Sequence, residues 1–173
     1  MDKNLKKIKV AFWIFFSLST LINIFIIFQS CLPASSSMKW SNVFVDMINN
    51  ISHSTGGGDV SRVGNMSISD FIRKSIGHFF IFLMDGVFTF LMFYFLFKFK
   101  MVKYAKFTAI LTLLTGLLVA CISEFIQYFV PTRAGLIADV GIDALGFVIG
   151  GVVTYLTSLL IIHHRNKKLV INE

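Results

Sequence analysis

Four apolar runs, at about residues 8–28, 76–97, 107–130 and 140–162, decide most of what this chain can become. Each approaches or exceeds the roughly 20 residues a helix needs to cross the ~30 Å hydrocarbon core of a bilayer. The runs are rich in aromatic and β-branched residues, which favour strands. Their length and the absence of turn signals inside them select helices instead. A water-soluble fold of 173 residues could not hide this much grease: 55% of the residues are hydrophobic and 20 are Phe. Only 14% are charged, against about 25% in soluble domains, and mean hydropathy is +0.77. The expected fold class is therefore an all-α integral membrane protein, a four-transmembrane-helix bundle forming a single domain over residues 1–173.

Topology follows from the basic residues. The N-terminus carries Lys3, Lys6, Lys7 and Lys9; Lys98, Lys100, Lys103 and Lys106 link the second run to the third; and Arg165, Lys167 and Lys168 follow the fourth. Only Lys39, Arg62, Arg73, Lys74 and Arg133 fall on the other side. The positive-inside rule then puts both termini in the cytoplasm. This distribution also accounts for the net charge of +7, so no nucleic-acid partner is implied. The first run begins like a signal peptide, but it exceeds the usual 7–15 residue apolar segment and lacks a clear small-residue cleavage site; it reads as a retained anchor. Cys31 and Cys121 make no disulfide framework.

Residues 29–74 form an external loop, the longest connection, rich in Ser, Asn and Gly, including Ser35–Ser37 and Gly56–Gly58. Such composition suits a mobile segment. Within it Trp40, Val43, Phe44, Met47, Ile48 and Ile51 recur three and four apart, which fits a short amphipathic helix over 40–52 lying on the membrane surface. A loop with scattered apolar residues fits nearly as well.

Polar groups converge at one end of the expected bundle. Arg73, Lys74 and His78 stand at the outer end of the second helix. The third terminates at Pro131, through which helices rarely continue. Glu124 lies about 10 Å below that stop, with Gln127 one turn nearer the surface. The fourth starts near Asp139, with Asp143 about 6 Å deeper. Asp139, Asp143, Gly146 and Gly150 form a single stripe, whose glycines allow close helix approach. Ionisable groups in such a setting are functional candidates.

Plainer explanations exist for each. Asp139 is well placed to cap the fourth helix, Lys74 and Arg133 to contact lipid phosphates, and Gly146 and Gly150 to pack. A structural ion pair among His78, Glu124, Arg133 and Asp143 explains the cluster as well as a binding site does. Asp85 sits near mid-membrane and needs a partner such as Gln127 or a Thr of the third helix, or a proton. His78, Glu124 and the aspartates are possible metal ligands, but neither a His-Glu-x-x-His pair, a phosphate-binding glycine loop, a nucleophile elbow nor a zinc-type cysteine pair is present, so no metal and no cofactor is expected.

These pieces together resemble the VanZ-like membrane protein family. Phe28-Gln29-Ser30 before a Ser-rich loop is similar to the family's exit from its first helix. Residues Phe71 to Phe79, with Arg73, Lys74 and His78, resemble its basic-then-His-Phe approach to the second. Glu124-x-x-Gln127, Pro131-x-Arg133 and Asp139-x-x-x-Asp143-x-x-Gly146-x-x-x-Gly150 resemble its third-to-fourth helix pattern. Asp85, where an apolar or small residue is expected, and the long loop are departures. The resemblance implies a bacterial plasma-membrane protein, some of whose relatives lower sensitivity to teicoplanin-type lipoglycopeptides.

The expected function is an outward-facing polar site formed by Arg73, Lys74, His78, Glu124, Gln127, Arg133, Asp139 and Asp143. Its partners are the lipid bilayer and an anionic lipid or lipid-linked cell-wall precursor. Two alternatives stay open: an enzyme using His78 with Glu124 or Asp143 as acid and base, and a cluster that only ties helices together.

Overall fold

With no water to satisfy backbone groups in the bilayer core, an apolar chain crosses it as closed helices, and helices dominate the structure. A computed structural model describes residues 3–63, 66–72, 77–100 and 105–171. Its elements are α1 (Lys3–Ser30), α2 (Ala34–Ser54), the two-residue strands β1 (Arg62–Val63) and β2 (Met66–Ser67), α3 (Ile68–Phe71), α4 (Phe79–Phe99), α5 (Ala105–Phe129) and α6 (Ile137–Ile171). The strands pair antiparallel, Arg62 opposite Ser67 and Val63 opposite Met66. Four stretches are long and apolar enough to cross a membrane: Lys3–Ser30, Phe79–Lys98, Phe107–Phe129 and Ile137–Ile161. Their outer faces carry exposed Leu21, Leu118, Val153 and Leu160, an arrangement stable only with lipid as the solvent.

Inside the bundle α4 is the central element, packing on α1, α5 and α6. Its contact with α6 is set by glycines. A Cβ on Gly146 would run into the Phe79 carbonyl oxygen, one on Gly150 into that of Leu83, and one on Gly86 into that of Phe147. The two backbones thus lie almost against each other, as small-residue stripes permit. Ile26, Phe82, Ala120 and Phe147 fill the remaining core.

Three features depart from the sequence reading. The connection over 29–74 is not simply a loop, because α2 occupies Ala34–Ser54. The apolar spacing prevails there over the weak helix propensity of Ser and Asn. Asp85 meets neither Gln127 nor a Thr of α5. Its Oδ1 instead accepts Asn23 Nδ2 at 2.9 Å and Thr89 Oγ1 at 3.1 Å, with the Ser19 hydroxyl at 3.5 Å. The acid therefore ties α4 to α1. Finally, α6 runs to Ile171, past the apolar stretch, because no Gly or Pro interrupts Tyr155–Ile171.

Candidate functional site

Antiparallel helices bring the end of α1, the start of α4, the end of α5 and the start of α6 to one end of the bundle. The polar residues of those segments meet there. α5 stops at Phe129, two residues before Pro131, and the chain turns back through Thr132, whose φ is 70°. That left-handed conformation is uncommon for a β-branched residue. The Thr132 hydroxyl accepts the Ala34 N–H at 3.2 Å, fastening the first residue of α2 to the turn.

Glu124 is buried, 4% exposed, and both of its oxygens are engaged. Gln127 Nε2 donates to Oε1 at 2.8 Å and the Leu136 N–H donates to Oε2 at 3.2 Å. Gln127 in turn accepts from Arg133 Nη1 at 2.9 Å, and Arg133 Nη2 donates to the Gln29 carbonyl at 3.2 Å. One chain of hydrogen bonds thus runs from the end of α1 through the turn into α5. Gly135 lies against the Glu124 carbonyl, where a Cβ would collide, and this close approach lets the segment before α6 reach Glu124.

The second half of the site faces α4. His78 Nδ1 lies 3.2 Å from Asp143 Oδ1. The His78 side chain is 23% exposed and that of Asp143 is fully buried. Asp139 occupies the first turn of α6, where the helix dipole favours a negative charge, and lies near enough to Glu124 and Asp143 to act on both electrostatically. Ser123 is buried beside Asp143.

Of the residues singled out from sequence, His78, Glu124, Gln127, Arg133, Asp139 and Asp143 converge at this end. Arg73 and Lys74 lie outside the described residues. The sequence carries no metal-binding motif, yet His78, Glu124 and Asp143 each present a ligand atom within 4.8 Å of the others. The missed participants are the Gln29 carbonyl, the Leu136 N–H and Ser123. The two backbone groups leave no mark in a side-chain pattern; Ser123 was legible only as the neighbour of Glu124.

The VanZ/LLP1 family model matches residues 12–160, covering every residue of this cluster. No curated protein and no solved structure matches the chain significantly.

Proposed function

The chain belongs to the VanZ/LLP1 family, and from that premise we propose that it is a bacterial plasma-membrane protein whose polar end faces outward and binds an anionic headgroup or lipid-linked cell-envelope precursor. Both termini are cytoplasmic in this reading, as the Lys and Arg distribution favours. The carrying observation is the hydrogen-bonded network, buried at Glu124 and Gln127 and half-buried at Arg133 and Gln29, at one end of a bundle otherwise coated with apolar side chains. Such a network orients a guanidinium, the group best suited to bidentate phosphate or carboxylate recognition. Arg133, His78, Arg73 and Lys74 engage the anion. Glu124, Asp139 and Asp143 orient those cations and meet hydroxyl or amide groups of the ligand. Occupying such a precursor lowers susceptibility to lipoglycopeptides such as teicoplanin.

The test is antibiotic susceptibility in a sensitive host expressing the wild type or the Glu124→Gln, Arg133→Ala and Asp143→Asn variants. Protection by the wild type, lost in the variants at unchanged protein level, supports the proposal. Full protection by all three variants overturns it. Loss of protein along with protection makes the cluster purely structural.

A further inference from the structure

We propose that His78, Glu124 and Asp143 form a binding site for a divalent transition-metal ion of the zinc type. One donor atom from each residue lies within 4.8 Å of the other two. Zinc–ligand bonds of about 2.0–2.2 Å at tetrahedral angles hold donor atoms roughly 3.3–3.6 Å apart. His78 Nδ1 and Asp143 Oδ1 already stand at 3.2 Å, so what remains is a short approach of that pair and the Glu124 oxygen toward each other.

Charge and hydrogen bonding point the same way. A neutral imidazole with two carboxylates carries a charge of −2, which a dication cancels at an end of the bundle where Coulomb interactions are weakly screened. The second oxygen of Asp143, Oδ2, is buried and has no hydrogen-bond partner among the described residues. A buried carboxylate oxygen in that condition is costly, and a metal ion would satisfy it. Glu124 has the outer support that metal ligands use: the Gln127 amide and Leu136 N–H hold its oxygens in place, as second-layer donors do around bound metals. The partly exposed His78 gives the ion a way in from solvent.

Three protein ligands leave one tetrahedral position open, as in sites that bind an exchangeable group. A phosphate oxygen is the chemistry that position takes, and its assignment to a headgroup rests on the function proposed above. The cation explains how an anion approaches a cluster that also contains Glu124, Asp139 and Asp143. Metal binding itself does not depend on that function.

The full chain is placed in neutral-lipid nanodiscs, stripped with chelator and titrated with Zn2+ alone. Saturable uptake is expected, weakened at least tenfold by His78→Ala and by the near-isosteric Asp143→Asn. The double variant His163→Asn/His164→Asn, altered at the far end of α6, retains it. X-ray absorption of the loaded wild type is expected to show one imidazole and oxygen ligands. Wild-type uptake no tighter than that of either site variant overturns the proposal, as does a zinc spectrum without imidazole. If zinc binds as expected while Arg133→Ala retains full antibiotic protection, the metal site stands and the headgroup reading falls. If zinc fails to bind while Arg133→Ala abolishes protection, the reverse holds.

Discussion

The amide oxygen of Gln127 accepts a 2.9 Å hydrogen bond from Arg133 Nη1, which fixes the direction in which the Gln127 amide must point. Its N–H2 group is thereby turned to Glu124 Oε1 at 2.8 Å. Asn or Gln side chains are often ambiguous in orientation; here the donor on one side and the acceptor on the other leave one arrangement.

Gln127→Glu should expose that dependence. The new carboxylate keeps the Arg133 bond but faces Glu124 with an acceptor where a donor stood. Leaving a buried acceptor opposed in this way costs about 1–3 kcal/mol. Thermal unfolding in detergent is expected to fall accordingly, and an additional Glu124→Gln change, which restores a donor, should recover part of the loss. Equal stability of Gln127→Glu and wild type would contradict the network.

Gly150→Ala and Gly141→Ala should behave oppositely. A Cβ at Gly150 meets the Leu83 carbonyl, which belongs to helix backbone and cannot swing aside, whereas Gly141 has open space around it. Overpacking of the first kind costs about 1–3 kcal/mol. The second is expected to be neutral or to gain up to about 1 kcal/mol through helix propensity. Melting temperatures of the two variants in one detergent decide the matter.

Asp85→Asn should be mild and Asp85→Leu should not. Asparagine retains an oxygen for Asn23 Nδ2 and Thr89 Oγ1, the 2.9 and 3.1 Å contacts of the native carboxylate. Leucine retains neither, and the lost bond to Asn23 of α1 is of the interhelical kind that contributes between about 0.6 and 2 kcal/mol in membranes. Unfolding in mixed micelles should rank wild type and Asp85→Asn together, above Asp85→Leu.

Along α2, Val43, Met47 and Ile51 recur four apart and are 61%, 60% and 56% exposed. An environment-sensitive fluorophore on Met47→Cys, in a background lacking Cys31 and Cys121, is expected to report an apolar setting in vesicles. The same label on Asn42→Cys, about 140° around the helix from Met47, is expected to report water. Identical spectra at the two sites would exclude a surface-lying helix.

The four spanning helices were legible because bilayer thickness imposes one length on apolar runs whatever their detailed sequence. The order of Glu124, Gln127, Arg133, Asp139 and Asp143 around Pro131 was legible for a similar reason: a helix stop between two amphipathic ends leaves few places for charge. Partnership was harder. Asp85 could be assigned to mid-membrane depth by counting residues, but depth does not reveal which neighbouring helix faces it, and Asn23 and Ser19 lie more than sixty residues away. α2 was half-legible, since Ser and Asn weaken a helix locally while the spacing of Val43, Met47 and Ile51 supports one. The grouping of His78 with Glu124 and Asp143 crosses three helices; counting depth along each helix brought the three to one end, but not the distances that put a donor atom of each within 4.8 Å of the others.

Thr132 links two parts of the molecule that composition treats as unrelated. Its hydroxyl holds the first amide of α2, and its own backbone leads directly into Arg133. The start of α2 is thus tied to the residue beside the guanidinium, and through Arg133 to the end of α1.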